Sequence, residues 1–203
     1  TNVMGTSKLM GERLITAANS LTTATSMPVF SSTRFGNVAG SAGSVIPLFC
    51  RQITRGLPVT LTDKRMTRFL MTLDESVNLV LSALKFAKSG DIFVQKASAC
   101  KIVDLAESIK ELYGNKKIKN IIIGTRHGEK KHETLVSKEE LIIAKEHNKF
   151  FQIPNDNRDL NYSNYFFKGN KKVDNQIEYT SSTTKILSKY DIKKFIKSLK
   201  FNE

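Results

Sequence analysis

The sequence predicts an α/β fold in which some strands pair in parallel. Three observations carry this. Short apolar runs rich in β-branched residues alternate with patterns of helical period. Two helix starts carry a Ser/Thr-x-x-Glu signature, and glycines stand where helices should stop. No internal repeat and no flexible linker breaks the alternation.

The first helix is expected from Asn2 to about Leu21, where apolar residues recur at helical spacing. Residues 27–35 alternate as a strand. Ser44 to Arg55 reads as a helix stopped by Gly56. Short strands follow at Pro58–Thr62 and Arg68–Met71, and Thr72-Leu73-Asp74-Glu75 opens a helix to about Lys88. Asp91–Gln95 reads as a strand, Ile102–Tyr113 as a helix closed by Gly114, and Ile118–Gly124 as a strand. Ser137-Lys138-Glu139-Glu140 caps a further helix. Phe150 to Thr184, rich in Asn and Tyr with weak periodicity, is expected to be irregular, and Lys189–Leu199 to be the last helix.

Composition narrows the class. Of 203 residues 40% are hydrophobic and 25% charged, ordinary for a globular protein. No apolar run approaches the ~20 residues of a membrane-spanning helix, and the first twenty residues mix Lys8, Glu12 and Arg13 among apolar positions, unlike a signal peptide. Cys50 and Cys100 are scattered, without CxxC or clustered His partners, so reduced thiols in a cytoplasmic protein are expected. His127, His132 and His147 show no ligand spacing, and no metal site is expected. The net charge of +13 raises the question of a polyanion partner. Residues 1–110 hold 13 Lys/Arg against 7 Asp/Glu, and the rest 19 against 12. That even spread, with no nucleic-acid-binding motif, argues for a solvated surface and against a basic polyanion-binding domain.

Gly36-Asn37-Val38-Ala39-Gly40-Ser41-Ala42-Gly43 follows a strand and precedes a helix, with Asp63 some way downstream. The spacing imitates a dinucleotide fingerprint. A fingerprint should open its domain, however, and here a lysine-bearing helix comes first. The expected role is a tight loop with a polar contact through Asn37.

Several longer segments carry a resemblance. Met4-Gly5-Thr6-Ser7-Lys8 is similar to the catalytic YxxxK helix of extended short-chain dehydrogenases, with Met in place of Tyr. The likeness continues through Ser32-Thr33-Arg34-Phe35-Gly36-Asn37-Val38, Met66-Thr67-Arg68-Phe69-Leu70-Met71-Thr72 and Gly90-Asp91-Ile92-Phe93-Val94-Gln95-Lys96. Gly124-Thr125-Arg126-His127-Gly128-Glu129-Lys130, with Arg158-Asp159-Leu160-Asn161-Tyr162, resembles the inverting UDP-N-acetylglucosamine 4,6-dehydratases, which also epimerise at C5 in capsule or O-antigen synthesis. The resemblance implies a Rossmann-type fold lacking its N-terminal nucleotide-binding half, plus a smaller C-terminal α/β region for the UDP-sugar. Residues 1–62 would be the remaining Rossmann part with interleaved substrate segments, and residues 63–203 mainly the substrate region and an extension. The chain is thus expected to be a C-terminal fragment, inactive alone, of a homo-oligomeric enzyme.

The same resemblance implies roles. Lys8 would hold the nicotinamide ribose of NAD(P), beside Phe35. Lys8 and Met4 occupy the catalytic pair, but a thioether has no exchangeable proton, so Lys8, an acid upstream or a relayed water would act as base. Asn37, Arg68, Arg126 and Glu129 match UDP-binding positions. Arginines suit a diphosphate, and Glu129 would accept from the uridine ribose. His127 is a weaker substrate candidate. The runner-up is a UDP-glucose 4-epimerase, against which the missing Tyr at Met4 argues.

Overall fold

A computed structural model describes residues 3–18, 28–155 and 176–199. Arg158–Tyr162, the expected strand residue Met27 and the end of the first helix near Leu21 lie outside these residues. In order the elements are α1 (Val3–Ala18), β1 (Ser32–Arg34), β2 (Asn37–Val38), α2 (Val45–Thr54), β3 (Val59–Leu61), β4 (Thr67–Met71), α3 (Leu73–Phe86), β5 (Ile92–Gln95) and β6 (Ser98–Lys101). Then come α4 (Ile102–Leu112), β7 (Asn120–Ile122), β8 (Thr134–Val136), α5 (Lys138–Ile143), β9 (Lys145–Glu146), β10 (Phe150–Ile153), β11 (Tyr179–Thr180) and α6 (Lys189–Ser198).

Among the described residues the strands form four small sheets, ordered β1-β5-β10-β9, β2-β4-β6, β3-β7 and β11-β8. The β1–β5, β2–β4 and β3–β7 pairs are parallel, so helices must carry the chain across between them. The expected α/β class with parallel pairing is what the chain adopts. Strand pairing also ties residues on either side of position 62: Thr33 faces Phe93 and Asn37 faces Leu70.

Local sequence explains most helix ends. Thr72 and Ser137 make the expected capping boxes with Glu75 and Glu140, and Ser188 makes another with Asp191. Pro47 falls in the first turn of α2, where its missing N–H costs no intrahelical bond. The main core lies where α2, α4 and α6 pack over β3 and the sheet edge. Ile46, Phe49 and Ile53 of α2 recur at three and four residues, and all are buried. They meet Leu105 and Ile109 of α4 and Ile192 of α6. Lys110 is buried at the end of α4, where its ammonium pairs with Glu107 at 2.7 Å and donates to the Ile118 carbonyl at 3.0 Å, fixing the turn into β7.

The segment expected to be irregular differs in its two described stretches. Phe150–Ile153 forms β10, paired on both sides by β5 and β9, and Tyr179–Thr180 forms β11. Tyr179 anchors the second stretch. Its ring packs with Phe69 and Phe151, while its hydroxyl donates to the Ala97 carbonyl and accepts from the Ala97 N–H, each at 2.9 Å.

Candidate active site

A cleft of about 1170 Å³ opens between α1 on one side and the 126–135 segment with α5 on the other, and Ser32 to Phe35 form part of its wall. Lys8, Phe35, Arg68, Arg126, His127 and Glu129, drawn from α1, the end of β1, β4 and one loop, all line it. Met4 and Asn37 do not: Met4 is 69% exposed on α1, and Asn37 sits exposed on β2.

The chain's geometry around Phe35 explains the glycine that follows. A Cβ on Gly36 would collide with the Phe69 side chain, so the chain presses there against β4. Gly40 and Gly43 take positive φ, as a tight turn requires. Asp63 is engaged by Arg65, through the side chain at 2.8 Å and the backbone N–H at 2.7 Å. The loop therefore turns the chain from sheet to α2, as expected, and Asp63 closes a turn of its own. Asn37 finds no side-chain hydrogen-bond partner among the described residues.

Arg68 reaches the cleft with its donors engaged. Its guanidinium donates to the carbonyls of Thr67 (2.7 Å), Lys130 (2.8 Å) and Lys131 (3.2 Å), and carboxylates of Glu129 and Glu133 lie 3.6 Å away. It is the post that holds the 126–133 loop to β4. Beneath, Thr67 Oγ1 meets His132 Nδ1 at 2.8 Å and Ser181 Oγ at 2.7 Å, and Ser181 exchanges bonds with the Glu133 backbone. Burial, with Lys131 and Arg68 nearby, holds the His132 imidazole below its ordinary pKa.

Above that post the loop is open. Glu129 accepts from Thr62 Oγ1 at 3.4 Å, and its N–H closes a turn on the Arg126 carbonyl. The Arg126 and His127 side chains are exposed. Of the cations lining the cleft, Arg34 and Arg68 lie against carboxylates, whereas Lys8, Arg13, Arg126 and Lys130 have no ion pair among the described residues. With six basic and four acidic side chains in its lining, the cleft carries a net positive charge that suits an anionic ligand.

Sequence reasoning missed the strongest polar contact of the site. Arg34 donates to both oxygens of Glu12, at 2.5 Å each, and to both oxygens of Glu140, at 2.7 and 2.8 Å. Burial opposes the Arg34 charge, but the bonds to the two carboxylates outweigh it and raise its pKa above the ordinary value. Burial likewise opposes the Glu140 charge, but Arg34 and the Ser137 N–H hold that carboxyl below the usual range. The available signal was an arginine inside an expected strand, since a charged side chain that the fold buries needs a partner. Among the described residues no cluster suits a metal ion, no helix is long and apolar enough to cross a membrane, and both cysteines are free.

Comparison with known proteins gives consistent matches. Residues 1–155 match the family described as polysaccharide biosynthesis protein, and residues 156–201 match its C-terminal counterpart. Proteins named UDP-glucose 4-epimerase from Rickettsia canadensis and Rickettsia akari are each 46% identical over 200 residues, 98% of this chain. The chain spans 58% of the length of those relatives. The crystal structure of Pen from Bacillus thuringiensis superposes with a TM-score of 0.80 at 36% identity, covering 96% of this chain and 57% of that one. A dTDP-glucose 4,6-dehydratase from Bacillus anthracis, solved with NAD, shares the fold at a TM-score of 0.52 and 19% identity, over 62% of this chain and 42% of that one.

Proposed function

The chain belongs to the polysaccharide biosynthesis protein family, and from that membership we propose that it carries the sugar-nucleotide site of an NAD(P)-dependent 4,6-dehydratase and 5-epimerase acting on UDP-N-acetylglucosamine. The carrying observation is the cleft, which gathers Lys8, Phe35, Arg68, Arg126 and Glu129 and leaves Lys8 and Arg126 unpaired among the described residues. In this reading residues 1–62 complete a Rossmann domain, residues 63–203 mainly bind the UDP-sugar, and the enzyme works as a homo-oligomer.

The residues present fit one end of the cofactor. Lys8 and Phe35 line the cleft together and would hold the nicotinamide ribose. The Gly36–Gly43 loop does not fit the pyrophosphate, because Gly36 is pressed against Phe69. When bound, a nicotinamide cofactor supplies a temporary store for the hydride that leaves C4 of the sugar and returns at C6. Arg126 offers a planar donor fork to the diphosphate, and Glu129 can accept from ribose hydroxyls. Arg68 serves that clamp by holding the loop that carries both. Met4 supplies no proton acceptor, which leaves Lys8 as the ionisable member of the pair.

A second reading has support in the names of the Rickettsia relatives: a UDP-glucose 4-epimerase. Product analysis separates the two. Incubation of the full-length protein with UDP-N-acetylglucosamine in heavy water is expected to give a product lighter by one water and labelled at C5, and Lys8→Ala is expected to abolish it. Interconversion of UDP-glucose and UDP-galactose without loss of water favours the epimerase. Near-normal turnover by Lys8→Ala removes α1 from the active site.

A further inference from the structure

Arg34 joins two carboxylates from opposite sides of the cleft. Glu12 comes from α1 and Glu140 from the first turn of α5, and a further bond of 3.1 Å runs from Arg34 to the Leu135 carbonyl. The three charged side chains are only 12–19% exposed. Glu12 stands four residues after Lys8, so both side chains lie on one face of α1, and both line the cleft. On an isolated helix such a pair attracts. Here both Glu12 oxygens are held by Arg34, and Lys8 has no ion pair among the described residues.

We propose that Arg34 is a positioning residue for Lys8: it withholds Glu12 from the Lys8 ammonium and ties α1 to α5, so that the positive charge of Lys8 is left for the cleft ligand. The inference rests on the reading of Lys8 given above. Only a guanidinium has the geometry for this, because its donors can meet two carboxylates, each through both oxygens. Glu140 is a stable second anchor, since its carboxylate also accepts from the Ser137 N–H at 3.0 Å.

The test compares Arg34→Gln, Arg34→Gln/Glu12→Gln and Lys8→Ala in the full-length protein. One readout is the acetylation rate of Lys8 by limiting acetic anhydride at mildly alkaline pH, followed by mass spectrometry of its peptide. The other is turnover of UDP-N-acetylglucosamine. In Arg34→Gln the released Glu12 stabilises the ammonium, so labelling of Lys8 is expected to fall about two- to fivefold, the equivalent of an exposed ion pair. Turnover is expected to fall by roughly tenfold or more as the pair is misplaced. The double variant, which lacks the competing carboxylate, is expected to recover labelling and part of the turnover. A purely structural bridge leaves Lys8 labelling unchanged throughout the series, even if the double variant regains turnover because the stranded Glu12 charge is gone. Unchanged labelling in Arg34→Gln, or no recovery in the double variant, overturns the proposal. If Arg34→Gln does not fold, Arg34→Lys with and without Glu12→Gln makes the same comparison. Normal turnover in Lys8→Ala sinks the catalytic reading of Lys8, while the labelling series still decides whether Arg34 withholds Glu12.

Discussion

Helix α4 buries six of its eleven residues, whereas α1, five residues longer, buries none. The first is held by apolar contact with α2 and α6 on its flanks. The second is tied to β1 through Glu12, by a guanidinium that also holds α5. Apolar burial is non-directional and resists small shifts through close packing. A bidentate ion pair fixes direction but contributes less stability, since the charges must leave water. Among the described residues the largest apolar cluster thus lies in the α2–α4–α6 layer, and directional ion pairing at the cleft rim.

The widest gap between the two regions is expected from Ile109→Ala, at a fully buried position of α4. It should cost about 2–5 kcal/mol of stability, read as a lower midpoint in urea unfolding, while UDP affinity of the folded fraction is unchanged. A loss below 1 kcal/mol would place the main core elsewhere. Arg126→Ala should show the opposite pattern. Loss of a charge-assisted bond of about 1.5–3 kcal/mol predicts roughly 10- to 150-fold weaker UDP binding by calorimetry, with the unfolding midpoint unmoved. Arg126→Lys should recover only part of it. Equal UDP binding by parent and Arg126→Ala would remove Arg126 from the clamp.

Glu140→Gln sharpens the comparison from the rim side. The substitution keeps the side-chain acceptor for the Ser137 N–H but weakens the hold on Arg34, and about 1 kcal/mol of stability should go at neutral pH. The pH dependence has a definite sign. The folded carboxyl has a lowered pKa, so its contribution is complete above the unfolded value of about 4.3 and disappears as pH falls through the folded one. Parent and variant stabilities should therefore converge in acid. A constant difference across that range would mean that Glu140 acts through packing alone.

The sequence disclosed the two regions unequally for the same physical reason. In α2 and α4 the apolar spacing, the stop glycines and the first-turn residues are all local, so helix ends fell within a few residues of those expected. The Thr72–Glu75 and Ser137–Glu140 boxes were equally legible. Strands of two to four residues such as β6, β8 and β9 are defined by partners far along the chain, and β10 hid in a run too short to show alternation. At the cleft, resemblance picked out Lys8, Phe35, Arg68, Arg126 and Glu129, and the fold brings those five together. It could not reveal that Arg68 turns to carbonyls of the 126–133 loop, nor that Arg34, 22 residues from Glu12 and 106 from Glu140, joins them.

The hydroxyl of Tyr179 has a consequence beyond its place in the aromatic cluster. At Ala97 one phenolic oxygen both gives and takes a hydrogen bond, as the peptide of an adjoining strand would. A side chain thus substitutes for a piece of ladder, at the bend between β5 and β6. Backbone pairing tolerates almost any amino acid, but this substitute depends on a single atom. Removing it would leave the Ala97 amide without its partner and its carbonyl with Thr184 alone. The Ala97 proton is accordingly a native gauge of whether the distant 176–184 stretch is seated: it should exchange with solvent slowly while Tyr179 is docked and quickly once it lifts away.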